Sequence, residues 1–213
     1  MRSTPPSAEP SRSTLSPRSE KSFERSMPWL LLIGGLIGLT ASFVLTAEKF
    51  TLATNPAYIP TCSLNPVLNC GSVMDTPQAA VLGFPNSLLG IAGFAAITTT
   101  GAALLAGAQL KQWFWVSLQI GATLAAAFVH WLIFQSIYTI GALCPYCMVV
   151  WAVAIPIFWY ITLRNLSLWG TGPNGQRMAD LARMFHPLPI TIWALAVAGL
   201  IAIRFWSYWS SLL

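Results

Sequence analysis

Leu143–Leu163 reads LCPYCMVVWAVAIPIFWYITL, and two properties of this stretch govern how the rest of the chain is read. It contains no Asp, Glu, Lys or Arg and is stopped by Arg164 and Asn165. About 20 such residues are needed for a helix to cross the hydrocarbon core of a bilayer. It also opens on Cys144-Pro145-Tyr146-Cys147. Cys144 then sits at or just before a helix N-terminus, where unpaired N–H groups and the helix dipole favour a thiolate. Pro145 suits the first helical position, because its missing N–H would be unpaired there anyway. Cys147 lies one turn further on, so a disulfide between the two closes a short loop and is readily opened and reclosed. Exchange needs an attacking thiolate, an accessible disulfide and a leaving thiol of low pKa, and this pair supplies all three.

Four more apolar runs flank this one: about Pro28 to Thr46, Ser87 to Leu110, Trp113 to Ile137 and Leu188 to Tyr208. Hydrophobic residues make up 55% of the chain and charged residues 8%, against about 25% charged in a soluble domain. The fold class expected is an all-α integral membrane protein with five transmembrane helices. The net charge of +5 is not gathered into a dense patch, which argues against nucleic acid as a partner. Residues 1–26 are rich in Ser, Pro and Arg and too poor in large apolar side chains to bury a core. They are expected to be a disordered cytoplasmic tail ahead of a transmembrane domain over 27–213. A transit peptide is the rival reading: Arg2, Arg12 and Arg18 among serines favour it, while Glu9, Glu20 and Glu24 oppose it.

Of the 11 Lys and Arg residues, Arg2, Arg12, Arg18, Lys21, Arg25, Lys111, Arg164, Arg177 and Arg183 fall on the side of the N-terminus, leaving Lys49 and Arg204 on the other. Cytoplasmic loops retain positive charge, so the tail faces the cytoplasm and the long loop of about 47–86 faces outward. Arg204, near the outer end of its run, is expected to snorkel to the interface. This assignment ignores the cysteines, yet it puts Cys62 and Cys70 of the long loop on the same outer side as Cys144 and Cys147. That side is the oxidising one in a bacterial-type membrane. Pro56, Pro60, Pro66, Pro77 and Pro85 mark the loop as one that can move. A mobile pair beside a fixed pair reads as a relay.

Two static disulfides are an alternative, as is a zinc site made by all four cysteines. Against zinc, one pair alone has the short ligand spacing, and the two histidines, His130 and His186, adjoin neither pair. A transporter would want charges within its helices. Other polar or small residues have plain readings. His130 and Gln135 suit interhelical hydrogen bonding. Gly34, Gly38 and Ser42 suit a close helix contact, and Thr98, Thr99 and Thr100 suit bonds to their own helix's carbonyls. Pro156 suits a kink, and Trp29, Trp113, Trp206 and Trp209 suit interfacial anchors. The apolar segment Pro77–Phe84 suits a short lid lying on the membrane surface.

The chain resembles the bacterial form of the vitamin K epoxide reductase family over most of Pro28–Tyr208. The resemblance rests on a loop Cys pair after the first helix, then Thr76, then Pro85-Asn86-Ser87-Leu88-Leu89-Gly90 opening the second helix, and Cys144-Pro145-Tyr146-Cys147 opening the fourth. The four-helix bacterial thiol oxidase of like purpose has its pairs in the opposite order. The resemblance implies a four-helix bundle around a quinone pocket with a fifth helix beside it. It implies a thiol-disulfide:quinone oxidoreductase supporting disulfide formation, in a plasma membrane or thylakoid, with its site facing periplasm or lumen. Cys62 is the implied contact for a thioredoxin-like (DsbA-like) protein. Cys70 is its mate and pairs transiently with Cys144, and Cys147 faces the quinone. Thr76 is the implied helper of exchange. Asn86, with neighbouring Ser87, is implied in binding a quinone carbonyl. No metal is implied, and the quinone, whether ubiquinone, menaquinone, phylloquinone or plastoquinone, is a substrate. Trp151 stands where the family often has Tyr; its i+4 spacing keeps it on the face of Cys147. Many members also carry a fused thioredoxin-like domain after the fifth helix, and here such a partner is expected to be a separate protein. A reductase whose main product is the quinol would use the same residues.

Overall fold

The computed structural model describes residues 17–55, 57–169, 178 and 181–211. Seven α-helices are described here: α1 (Pro17–Thr54), α2 (Cys70–Met74), α3 (Asn86–Leu105), α4 (Gln112–Phe134), α5 (Pro145–Trp169), α6 (Pro187–Arg204) and α7 (Trp206–Ser210). A wider π turn, Gln135–Ile140, extends α4, and a 3-10 turn spans Pro77–Ala80. Among the described residues there is no strand. Five helices are long and apolar enough to cross a membrane, over Arg25–Thr54, Asn86–Leu105, Gln112–Ile140, Pro145–Leu166 and Pro187–Arg204. Large apolar side chains point away from the bundle, with Phe43 64%, Leu124 67% and Leu195 68% exposed. In water such a surface would drive aggregation, whereas lipid solvates it. The chain is a multi-pass membrane protein.

α1 lies against α3 and α5, and α4 lies against α5, so four helices make the bundle and α6 leans on its outside. The α1–α3 contact is close because it lacks side chains. A Cβ on Gly101 would stand 2.5 Å from the Leu32 backbone nitrogen, and one on Gly35 would stand 2.8 Å from that of Thr98. Backbone at that distance cannot give way as a flexible side chain would. The expected stripe of Gly34, Gly38 and Ser42 divides between neighbours. Gly38 meets Phe94 and Ser42 meets Gly90, both on α3, while Gly34 meets Ile157 of α5. Thr98, Thr99 and Thr100 donate to the carbonyls of Phe94, Ala95 and Ala96, as their position predicts.

Three boundaries move from expectation. α1 begins at Pro17, where the sequence predicts disorder up to residue 26; the expected tail before Pro17 lies outside the described residues. Proline is accommodated in a first turn, and the Glu, Lys and Arg after it are good helix formers. A hydropathy window sees only the lipid-embedded part. At its other end α1 runs on past Glu48 and Lys49 to Thr54. α5 continues past Arg164 to Trp169, because Asn165 is wholly buried rather than a stop signal. Its amide donates to the Trp115 carbonyl at 3.1 Å and to Gln119 Oε1 at 3.2 Å. Gln119 in turn donates to Thr162 at 2.9 Å. This network pins α4 to α5 at the end remote from the cysteines. α6 is held by two tryptophans: Trp193 donates to His130 Nε2 at 2.9 Å and Trp159 to the His186 carbonyl at 3.0 Å. His130 is thus the interhelical partner its position suggests.

Candidate redox site

The long loop is fastened to the top of α1. Glu48, 7% exposed, accepts from the Thr61 hydroxyl at 2.6 Å and lies 3.4 Å from the Thr61 backbone nitrogen. The Tyr58 hydroxyl bonds the same carboxylate, which pushes the Tyr58 pKa up, with lesser help from burial and from the negative charge itself. Lys49 donates to the Met74 carbonyl at 2.6 Å and sits 3.9 Å from the Asp75 carboxylate. Within the loop Asn65 Oδ1 accepts from the backbone of Val67 at 3.0 Å and Leu68 at 2.7 Å, a local turn that asparagine favours. Asn69 caps α2 by accepting from Ser72 N–H at 3.0 Å.

One short contact sets the register of the two cysteine segments. Leu143 N–H donates to the Val67 carbonyl at 2.7 Å, and Asn69 N–H donates to the Leu143 carbonyl at 2.9 Å. Leu68 and Leu143 thereby form a single parallel bridge. Cys70 follows Leu68 by two residues and Cys144 follows Leu143 by one, so the bridge delivers both sulfurs to the same place. Cys62 and Cys70 are joined as a disulfide with Cα atoms 5.6 Å apart. Cys70 Sγ lies 3.1 Å from Cys144 Sγ. Cys144 and Cys147 are free thiols.

Cys144 is set up as a sulfur that bears charge and leaves readily. The Cys147 thiol donates to it, and the backbone N–H groups of Cys147 and Tyr146 add to this, so its pKa lies below the usual thiol value although burial works the other way. The helix N-terminus supplies the lesser, backbone part of this effect. The sulfurs of Cys62, Cys70 and Cys144 lie within 4.8 Å of one another. Three thiolates at that spacing could hold a soft cation, but two of these sulfurs are bonded to each other and carry no charge to offer it. The loop pair is covered here: Cys62 is 5% exposed and Cys70 0%, with the Glu48 and Lys49 contacts holding the loop against α1.

Beneath the sulfurs is a cavity of about 80 Å³ lined by Cys144, Cys147 and Trp151 of the α5 region, Asn86 and Ser87 of α3, Thr76, and Gln135 of the π turn. One water needs roughly 10–15 Å³ and an apolar cavity that takes benzene about 150 Å³, so a ring enters only as the walls give way. The lining is almost wholly apolar. Its polar members are mostly engaged. The Thr76 hydroxyl donates to the Val73 carbonyl at 2.8 Å, so it closes α2 rather than touching sulfur. Asn86 accepts from Val81 N–H at 3.1 Å and donates to the Gln78 carbonyl at 2.6 Å. One hydrogen of its amide is left for a ligand. Ser87 accepts from Thr46 at 2.8 Å. Trp151 is 2% exposed, and its Nε1–H has no partner. The segment that Asn86 ties down, Pro77–Phe84, covers the cavity with Gln78 and Ala79 while Val81 and Leu82 stay 48% and 61% exposed, as suits a lid resting on lipid.

The four cysteines, Asn86, Ser87, Thr76 and Trp151, singled out in the sequence, lie together at one end of the bundle. The sequence reading missed the clamps at Glu48 and Lys49, and it read Gln135 as an interhelical partner, whereas Gln135 lines the cavity and its Oε1 has no partner among the described residues. A signal for Gln135 was present: polar groups inside apolar spans are costly and tend to be kept for a purpose.

A membrane helix bundle with two cysteine pairs at one end and an apolar cavity under them defines a class, the membrane-embedded thiol oxidoreductases. The sequence model of the vitamin K epoxide reductase family matches residues 29–162, and the chain belongs to that family. The family acts in general on thiols and quinones within membranes, together with thioredoxin-like redox partners. No curated protein is matched by the chain.

Proposed function

We propose that this protein reoxidises a separate thioredoxin-like dithiol protein on the outer face of a plasma or thylakoid membrane and reduces a membrane quinone, so sustaining disulfide formation. The 3.1 Å approach of Cys70 to Cys144, with Cys147 on the cavity wall, is the observation that carries this reading. It sets the loop pair in line with the helix pair and the helix pair against the ring site.

The partner's thiolate attacks Cys62, and the Cys62–Cys70 bond breaks. The partner's second thiol resolves that mixed disulfide, leaving the partner oxidised and Cys62 and Cys70 as thiols. Cys70 attacks Cys144 of a Cys144–Cys147 disulfide and releases Cys147. Cys62 then attacks Cys70, restoring the loop disulfide and leaving two thiols on α5, which is the redox state in this structure. Oxidation of those thiols to Cys144–Cys147 gives two electrons and two protons to the quinone substrate. Asn86 and Trp151 donate hydrogen bonds to its ring oxygens, and the apolar walls exclude water. Because Cys62 is covered, the first step requires the loop to lift from Glu48 and Lys49. Thr76 assists by fixing the end of α2, and thereby the position of Cys70.

The test is reconstitution in lipid. A reduced thioredoxin-like donor, supplied anaerobically with a panel of quinones, is expected to lose two thiols, forming one disulfide, for each quinol formed. Thiol loss without quinol, or no turnover with any quinone, rejects the proposal. Within it, Asn86→Ala is expected to raise the quinone KM roughly tenfold, the equivalent of one hydrogen bond in a dry site. A KM and turnover equal to wild type would remove Asn86 from the ring site.

A further inference from the structure

Two residues that line the cavity each carry a buried side-chain atom with no hydrogen-bond partner among the described residues: Trp151 Nε1, a donor, and Gln135 Oε1, an acceptor. Buried polar atoms are seldom left so. The oxygen is the more telling of the two. Gln135 opens the π turn, in which Gly141 N–H bonds back to the Ser136 carbonyl at 3.0 Å and Gly141 takes a left-handed φ of 69°. Gln135 lines the cavity together with Leu132, Ser136 and Ile140. Leu132 lies three residues before Gln135 and four before Ser136, the spacing that shares one helix face. The helix thus gives a polar side chain a place on the cavity wall, and no donor among the described residues meets its Oε1.

The chemistry of the substrate says what would. A quinone ring carries two carbonyl acceptors and no donor. A quinol carries two hydroxyl donors. A wall donor such as Trp151 serves both forms, whereas a wall acceptor serves only the reduced one. We infer that Gln135 is a product-recognising residue whose Oε1 accepts the hydrogen bond of a newly formed quinol hydroxyl. The inference rests on the quinone-reducing function proposed above. In that step the Cys144 and Cys147 thiols become a disulfide, and two electrons and two protons convert both ring carbonyls to hydroxyls. Gln135 supplies neither; it binds one hydroxyl once the proton has arrived, and so biases the site toward the quinol.

The test uses the full chain in lipid, dithiothreitol as donor, and short-chain ubiquinone-1 and ubiquinol-1 as probes. Gln135→Met preserves bulk and removes the acceptor. It is expected to raise the inhibition constant for ubiquinol-1 about tenfold, the loss of one hydrogen bond in a dry site, while the KM for ubiquinone-1 stays within about twofold. Equal rises in both constants, a rise in KM alone, or no change in either overturns the inference. A second measurement needs no variant: the dimethyl ether of ubiquinol-1, which has no O–H, is expected to bind wild type about tenfold more weakly than ubiquinol-1. Equal affinity for the two also overturns it. Wild type that reduces no quinone would instead reject the parent proposal, so the two failures are distinguishable.

Discussion

Cys147→Ala is expected to abolish quinone reduction, with turnover falling on the order of a thousandfold or more, as when a covalent participant is removed. The fall should be the same whether a protein dithiol or dithiothreitol supplies electrons. Cys147 is the sulfur that lines the ring cavity from within α5, while Cys144 is already engaged at 3.1 Å with Cys70. Without Cys147 the helix pair cannot close, so electrons that reach Cys144 have no two-electron exit. The substitution leaves Cys70 and Cys144 in place, so their mixed disulfide should still form and be detectable by peptide mapping. Anaerobic quinone absorbance checks the first expectation and mass spectrometry the second. Quinol formation at the wild-type rate would mean that the ring meets a different sulfur.

Cys70→Ser should separate the two halves of the path. Transfer from a thioredoxin-like donor is expected to fall by about a hundredfold or more, because the loop loses the one sulfur that contacts Cys144. Reduction of quinone by dithiothreitol is expected to stay within about threefold of wild type, since a small dithiol can reduce the helix pair without the loop. The ratio of these two rates is the measurement. If both activities drop together, the loop pair is a structural staple and the relay is refuted.

Much of this arrangement is legible in the sequence because bilayers and thiols impose simple rules. A helix must be about 20 apolar residues long to span, so the five spans stand out in the sequence and agree with the structure. Cys144 before Pro145 announces a helix N-terminus, and α5 begins at Pro145. What stays hidden depends on contacts between distant segments. Leu68 and Leu143 look like any leucines; only their hydrogen bonds, made across 75 residues of chain, reveal that they set the sulfur register. Asn165 reads as a stop signal because its acceptor, the carbonyl of Trp115, is on another helix. Glu48 and Lys49 read as the end of a membrane span because hydropathy records charge and not the loop that folds over it. The helical start at Pro17 escapes for the opposite reason: local helix propensity is a weak cue set against a composition typical of disorder.

Sulfur burial also limits what this site exchanges with its surroundings. Cys62, Cys70 and Cys144 are 5%, 0% and 1% exposed, so free thiols and peroxides in the surrounding water meet protein before they meet sulfur. Thiol–disulfide reactions proceed only as fast as the attacker gains access. A covered centre can therefore hold a potential different from that of the glutathione or cysteine pool around it. Exchange is then set by how readily the loop lifts, so dilute thiols of a redox buffer react slowly at a site that a concentrated strong dithiol such as dithiothreitol still reduces.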